Sequence, residues 1–227
     1  MKSFIVINKS ELEPLPEIFD SDGRFDPKLI EILINNFSSI GDKIFDPFSG
    51  FGTTISVAES LNRIGYGIEA NYERYKYSIN NCSNINNILY ADLMNIPITK
   101  LPRMDLCITS PTYSWRNMGC NPFNLYIGEN SYEQYLKSLY CYFEKIVKYM
   151  KNGSYIIIDT SNVRFQNLTS TLAWDVANTI NRINNLEFLR EIIVCWQGNN
   201  DGFLGGTYGF GYDHSYCLVY KVNHKKS

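Results

Sequence analysis

Nine consecutive residues, Asp46-Pro47-Phe48-Ser49-Gly50-Phe51-Gly52-Thr53-Thr54, constrain what this 227-residue chain can fold into more than any other stretch. A short apolar run from Lys43 to Asp46 precedes the glycines and a helical pattern opens near Thr53. The spacing therefore predicts a strand, a glycine turn and a helix in immediate succession. Gly50 and Gly52 allow positive φ and close backbone approach, and the open amides at the start of the next helix receive a carboxylate or another polar group. Such a turn lies at the carboxyl edge of an open α/β sheet, where ligands bind. Gly-Phe-Gly is not the three-glycine dinucleotide fingerprint, and no Gly-Lys-Ser/Thr follows, so nucleotide phosphates are the poorer expectation.

Further along, Ile64-Gly65-Tyr66-Gly67-Ile68-Glu69 predicts a second strand ending in an acid, and Asn87-Ile88-Leu89-Tyr90-Ala91-Asp92 a third. A carboxylate at the first of these ends accepts both hydroxyls of a ribose, and one at the second accepts from an adenine amino group. A lone acid at a strand end is usually only solvated. Two of them behind a glycine turn, at strand-helix-strand spacing, point to an adenosyl pocket. A fourth strand candidate, Leu106 to Thr109, then runs into Ser110-Pro111-Thr112-Tyr113, a polar-proline-aromatic corner that in isolation also fits an ordinary turn with a packed tyrosine.

These two stretches together resemble the S-adenosylmethionine-dependent DNA amino-methyltransferases that modify cytosine N4 or adenine N6. Phe48-Ser49-Gly50-Phe51-Gly52 is similar to their Phe-x-Gly-x-Gly cofactor motif, here in an Asp-Pro-Phe form, and Ser110-Pro111-Thr112-Tyr113 to their Ser-Pro-Pro-Tyr motif. Asp26-Pro27-Lys28-Leu29 through Gly41-Asp42 is similar to the helix that precedes the cofactor loop and covers the methionine end. The resemblance spans roughly residues 26 to 160. Phe51 stands where the family usually has Ser, and Thr112 replaces its second Pro, which frees one φ angle and adds an amide donor. The resemblance implies a Rossmann-like α/β fold with a mostly parallel seven-stranded sheet, an antiparallel last strand and helices on both faces. It also implies S-adenosylmethionine as cofactor, held by Asp46, Pro47, Phe48, Ser49, Gly50, Gly52, Thr53 and Thr54, with Glu69 on the ribose and Asp92 on the adenine.

The chemistry explains the corner. An exocyclic amine on a base has its lone pair drawn into the ring and attacks poorly until acceptors pull the nitrogen toward tetrahedral geometry. Ser110 Oγ and the Pro111 carbonyl are such acceptors, and fixed dipoles of this kind act on charge that develops only in the transition state. Tyr113 supplies a stacking face, worth roughly 1 to 3 kcal/mol per base whatever the base. Phe48 or Phe51 offers a cation-π contact to a sulfonium, although Phe51 equally fits a core plug. The catalytic set is thus Ser110, Pro111, Thr112 and Tyr113, and no metal is required. Ser110 favours cytosine N4, because the family's adenine enzymes more often carry Asp or Asn there.

Other chemistries fit poorly. None of Cys82, Cys107, Cys120, Cys141, Cys195 and Cys217 follows a proline, as the thiolate of a cytosine C5 enzyme generally does, and they form no Cys-x-x-Cys pair. With 44% hydrophobic residues and neither a repeat nor a linker, residues 1–227 read as one catalytic domain. No stretch reaches membrane-spanning length, and Met1 to Ser10 holds only four consecutive apolar residues, too few for a signal peptide, so a cytoplasmic protein is expected.

Downstream, Ser131 and Gln134 form a capping box for a helix whose apolar face runs through Leu136, Leu139, Tyr140, Phe143, Val147 and Met150, with Asn152-Gly153 as its stop. Tyr155 to Asp159 predicts a buried strand, Ala173, Val176, Ile180 and Ile183 one face of a helix, and Glu187 to Trp196 with Tyr216 to Val222 a terminal antiparallel pair. Two loops are candidates for reading DNA. Residues 114–130 carry Trp115, Arg116, Asn117, Phe123 and Tyr126, with the first three named as substrate-binding. Residues 197–213 hold six glycines among Phe203, Tyr208, Phe210 and Tyr212, a composition suited to ordering on substrate. Against this stands the charge: 21 Lys and Arg face 23 Asp and Glu, a formal net of -2 where duplex binders rely on phosphate neutralisation. A basic face from Lys137, Lys145, Lys148, Lys151, Arg116 and Arg164, or a second copy or separate specificity subunit, answers the deficit. A related acceptor, RNA or a protein amide, is the alternative among enzymes. From another class, a non-catalytic methyltransferase-fold subunit remains open, with Thr112 as its sign.

Overall fold

The computed structural model describes residues 2–19, 23–116, 118, 121–123 and 131–224. In chain order its elements are β1 (Phe4–Asn8), α1 (Pro27–Phe37), β2 (Lys43–Asp46), α2 (Thr53–Ser60), β3 (Ile64–Glu69), α3 (Tyr72–Asn80), β4 (Ile88–Tyr90), β5 (Met104–Thr109), α4 (Tyr132–Tyr149), β6 (Met150–Thr160), β7 (Val163–Phe165), β8 (Leu168–Ser170), α5 (Leu172–Ile180), β9 (Leu186–Gln197) and β10 (His214–Val222). Eight strands form one sheet in the order β1-β9-β10-β6-β5-β2-β3-β4, and β7 with β8 makes a separate hairpin. β10 runs antiparallel to both its neighbours, whereas β1 with β9, β2 with β3 and β5, β3 with β4, and β5 with β6 are parallel. This is a Rossmann-like methyltransferase fold with a reversed last strand.

Period-2 alternation along the central strands divides the core into two layers. Phe45, Cys107, Ile156 and Ile158 face α4 and α5, packing among Tyr135, Leu139, Phe143, Ile146, Leu172, Val176 and Ile180. Their neighbours Ile44, Leu106, Ile108 and Ile157 face α1 and α2, among Leu29, Ile30, Leu33, Ile34 and Ala58. Each such aliphatic side chain, fully buried, contributes roughly 1.5 to 3 kcal/mol relative to exposure. Helices therefore cover both faces. α1 starts where Asp26 accepts from the Lys28 amide at 2.9 Å with Pro27 behind it, a position where a missing N–H costs nothing. α4 starts at Ser131, whose side chain accepts from the Gln134 amide at 3.2 Å.

Three expectations need correction. The sheet has eight strands, not seven: Phe4 to Asn8 adds β1 at the edge, in register with Ile193 to Gln197. Ile5 and Ile7 of that strand turn inward and Phe4, Val6 and Asn8 outward, but Phe4 to Ile7 is apolar throughout, so the sequence carries no period-2 signal. Asn152-Gly153 does not stop α4. The helix ends at Tyr149 because Met150 already pairs with Met104, and Gly153, at φ 80°, lies in a bulge of β6 where the register jumps from Met104↔Met150 to Leu106↔Tyr155. The third strand ends at Tyr90, so Asp92 caps a 3-10 turn, Leu93–Asn95, instead of closing the strand. Among the described residues, no helix is long and apolar enough to cross a membrane.

Candidate active site

The carboxyl ends of β2, β3, β5 and β6 open onto a cleft of about 710 Å³. Pro47, Phe48, Gly50 and Phe51 form part of its wall, and Ser110, Pro111, Thr112 and Tyr113 another part. The glycine loop and the polar-proline-aromatic corner, sixty residues apart in sequence, thus meet in one cavity. A second, narrow pocket of about 30 Å³ adjoins the loop and is shared by Asp46, Ser49, Gly50, Thr53, Thr54 and Ser110.

Backbone amides shape the glycine-loop side. Glu69, at the end of β3, accepts from the Gly50 amide at 2.8 Å and the Asn71 amide at 2.7 Å. One carboxylate so ties the turn to the start of α3. Burial raises the Glu69 pKa, and those two amides oppose the rise. A carboxylate has about four lone-pair sites, which leaves acceptor capacity toward the cleft that Glu69 lines. Gly52 precedes α2 at φ 84°, and a Cβ there would come within 2.8 Å of Ser78 Cβ, so no other residue keeps this turn. Ser49 is turned away from the cleft and donates through Oγ to the Ile68 carbonyl at 3.2 Å.

Asp46 faces the narrow pocket and not the main cleft. Its oxygens accept from Thr54 Oγ1 at 2.6 Å, Thr109 Oγ1 at 2.7 Å and the Phe48 amide at 3.1 Å. The carboxyl thereby fastens the turn to α2 and to the end of β5. Burial outweighs these donors, and the charge on Glu69 adds to it, so its pKa is pushed up to about 6. Asp92 does line the cleft, with both oxygens taking the Tyr142 hydroxyl at 2.9 and 2.8 Å and one taking the Met94 amide. Tyr142, a residue of α4 that periodicity does not single out for the site, therefore holds Asp92. Phe51 is both wall and plug: it lines the cleft, yet packs edge-on against Phe19 and Tyr77 with the Arg74 guanidinium 5.4 Å from its ring centre.

Side chains shape the other side. Tyr113 lies on Phe210 with ring centres 4.6 Å apart, and its hydroxyl is 2.7 Å from that of Tyr208, which donates to Asp159 Oδ2 at 3.0 Å. Trp115, Trp196, Phe203, Thr207 and Asp159 line the cleft as well. The sequence carries a signal for Asp159: it ends the strand run Tyr155 to Asp159 as Glu69 ends β3. The Arg116 guanidinium pairs with Asp175 at 3.4 Å and sits over the Tyr132 ring, outside the cleft lining. Asn117, Cys120 and Tyr126 lie outside the described residues. The lysines also divide: Lys145 Nζ donates to the Met94 carbonyl at 2.7 Å and Lys151 pairs with Asp105 at 2.5 Å, so neither is a free cation for a phosphate.

The six-glycine loop is folded on itself. Gly202 donates its amide to the Gly206 carbonyl, Gly205 to Gly202, Tyr208 to Tyr212, Gly211 to Gly205, and Phe210 to Phe203. At Gly206, φ 78°, an added Cβ would fall on the Tyr212 backbone. The loop is tied outward too: Arg164 donates its amide to the Phe210 carbonyl and Lys9 Nζ donates to the Thr207 carbonyl. In this conformation the loop forms part of the cleft wall through Phe203, Thr207, Tyr208 and Phe210.

The fold is that of the Rossmann-like methyltransferases. A family model described as DNA methylase, covering N6 and N4 methyltransferases, matches residues 9–80, which takes in the glycine loop, Glu69 and α3 but stops short of Ser110. No curated protein matches the sequence. Among solved structures, the chain is similar to a TehB-like S-adenosylmethionine-dependent methyltransferase from Corynebacterium glutamicum, with 13% identity and a TM-score of 0.53 over 86% of this chain and 87% of that one. It is similar to the magnesium protoporphyrin IX methyltransferase of Synechocystis PCC 6803 with bound S-adenosylmethionine, at 12% identity and a TM-score of 0.53 over 87% and 77%. It is similar also to the [4+2]-cyclase SpnF, at 14% identity and a TM-score of 0.56 over 91% and 87%. Resemblance at this level shows the fold, and the cyclase is a reminder that fold alone does not set the reaction.

Proposed function

We propose that residues 1–227 form one catalytic domain of a cytoplasmic, sequence-specific DNA methyltransferase that uses S-adenosylmethionine and acts on an exocyclic amine, cytosine N4 ahead of adenine N6. The observation that carries this reading is the single cleft shared by Gly50 and the Ser110–Tyr113 corner. The match to DNA methylases over residues 9–80 supports the cofactor half of it.

The residues fit the cofactor. Glu69 keeps acceptor sites for the ribose hydroxyls, Asp92 borders the cleft for the adenine amino group, and Pro47, Phe48 and Gly50 border the methionine portion. Asp46 meets that portion only through the narrow pocket. When bound, S-adenosylmethionine supplies a methyl group on a sulfonium, an electrophile for direct displacement. Ser110 Oγ and the Pro111 carbonyl accept hydrogen bonds from the amine and draw its lone pair out of the ring. Tyr113, with Trp115 beside the same cleft, offers aromatic surface to a base that has left the duplex, since the amine is out of reach while stacked. Thr112 leaves the Pro111 carbonyl in place. With a formal net charge of -2, the chain shares recognition of DNA with a second copy or a separate specificity subunit. That same charge favours the second reading, an RNA or protein-amide acceptor.

Incubating duplex DNA and RNA with methyl-labelled cofactor, then digesting to nucleosides for mass spectrometry, tests the proposal. N4-methylcytosine in DNA is expected. N6-methyladenine would keep the class and change the base. Label in RNA or protein alone, or none anywhere despite calorimetric cofactor binding, overturns it.

A further inference from the structure

Asp159 closes β6 next to β10, opposite Cys217 in the antiparallel register. Its side chain is 2% exposed, yet it borders the cleft. Among the described residues, each hydrogen-bond partner set against it is a neutral donor. Tyr208 from the glycine-rich loop donates at 3.0 Å, Cys217 Sγ from β10 approaches at 3.9 Å, and the Ser215 hydroxyl, itself receiving Trp196 Nε1–H at 3.2 Å, reaches it from the same strand. Burial opposed only by these hydrogen bonds pushes the carboxyl up to about 7. The titratable neighbours stay protonated: burial and the Asp159 charge hold Tyr208, Tyr113 and Cys217 well above their ordinary values.

The direction of the hydrogen bonds follows from counting protons. A phenol has one. If Tyr208 gives its proton to ionised Asp159, its oxygen is left to accept, and the Tyr113 hydroxyl 2.7 Å away has to donate to it. The sequence Tyr113→Tyr208→Asp159 then has a single polarity, and the Tyr113 ring is fixed at its hydroxyl as well as by Phe210 beneath it. A protonated Asp159 is itself a donor. Tyr208 then no longer has to point at it, both polarities coexist, and the Tyr113 hydroxyl, which Thr160 also meets, is no longer fixed as a donor to Tyr208, so its hold on the ring weakens.

We propose that Asp159 is a positioning residue for the methyl-transfer corner: acting through Tyr208, it sets the direction in which Tyr113 donates, holds that ring in place for the target base, and lets go when it takes up a proton. The inference rests on the reading of Tyr113 as the stacking face. It adds to that reading a residue 46 positions downstream of Tyr113 and an acid limb in the rate.

Initial-rate kinetics on DNA from about pH 5.5 to 8.5, together with 13Cζ-tyrosine NMR, test it. Between about pH 7.5 and 5.5 the wild-type kcat falls about ten-fold while KM for S-adenosylmethionine changes less than about two-fold. Asp159→Asn carries both an acceptor and a donor, as the protonated acid does, and cannot titrate, so its kcat lies about ten-fold below the wild-type plateau and its acid limb disappears. Tyr208→Phe breaks the sequence in the middle and gives a rate lower by about ten-fold and flat with pH. The Tyr113 resonance shifts with pH in the wild type and not in either variant.

An Asp159→Asn enzyme that retains the wild-type acid limb overturns the proposal, since a merely structural role leaves the profile's shape alone. If that variant does not fold, Tyr208→Phe decides, and wild-type rates at every pH overturn it equally. The NMR readout needs no substrate. Absence of DNA methylation with a titrating Tyr113 signal removes the DNA reading and leaves the coupling to Asp159 standing. Methylation with a Tyr113 signal that ignores pH removes the coupling alone.

Discussion

Along the edge made by β2 and β3, main-chain groups hold the cleft, and along the edge made by β5, β6 and β10, side chains hold it. On the first edge the Gly50 and Asn71 amides meet Glu69 and the Phe48 amide meets Asp46, all within about twenty positions in sequence. On the second, Tyr113, Tyr208 and Asp159 meet across separations of 95 and 49 positions. A wall of amides needs glycine at its turns and an acid at a strand end and tolerates change elsewhere. A wall of side chains depends on the identity of each member. The cofactor side is therefore the shared part of such a fold, and the acceptor side is where one protein is made different from another.

The comparison is sharpest in substitutions that separate binding from turnover. Ser110→Ala and Tyr113→Ala should each lower methylation by about 10²-fold or more, as loss of a transition-state dipole or stacking face does, while calorimetry finds cofactor affinity within about three-fold. Equal loss of both would merge the two walls into one structural unit. Glu69→Ala acts on the opposite wall, removing the acceptor for two amides. Cofactor affinity should fall by about thirty-fold and stability by about 1 to 3 kcal/mol, with turnover at saturating cofactor less affected. In Gly52→Ala the new methyl meets Ser78 in a left-handed turn, which costs about 2 kcal/mol of stability by chemical denaturation.

Smaller effects come from charge. Asp46 and Asp159 keep their protons to about 6 and about 7 in the folded chain, against 3.8 for an ordinary carboxyl. The folded state then binds more protons than the unfolded state between about pH 4 and 7, so these groups make stability fall as pH rises through that window. Thermal unfolding should show a higher Tm at about pH 5.5 than at 7.5, with a difference on the order of 1 kcal/mol that shrinks in Asp159→Asn. Smallest of all, Arg116→Ala breaks an ion pair whose arginine is 56% exposed, and should change stability by less than about 1 kcal/mol and methylation by less than about two-fold.

The same division governs what could be read from residues alone. The strand, turn and helix around Gly50 and the acid at Glu69 are local patterns, and they stand where the sequence places them. The Ser110 corner was legible as a motif, and its meeting with Gly50 followed from parallel strand order. The Asp159 carboxyl carried the same strand-end signal as Glu69 and went unused, because nothing nearby announces that Tyr208 will reach it. Arg116 marks a limit of such reading, because an arginine beside a tryptophan looks alike in sequence whether it faces a phosphate or Asp175, its partner here. Asn152-Gly153 was misread for a related reason: the pair stops helices and makes bulges equally well, and pairing of Met150 with Met104 decided the matter.

The edge strand has a consequence for the order of folding. Residues 4–8 are made before their partners, residues 193–197. β1 has nothing to add to until those partners exist, and joining such distant segments is slow. Lys9, which continues the pairing through its amide to Gln197 and reaches Thr207 with its ammonium, is in place only then. The glycine turn at Gly50 can assemble early from neighbours, whereas the rim of the cleft above it is finished late, by segments far apart in sequence meeting.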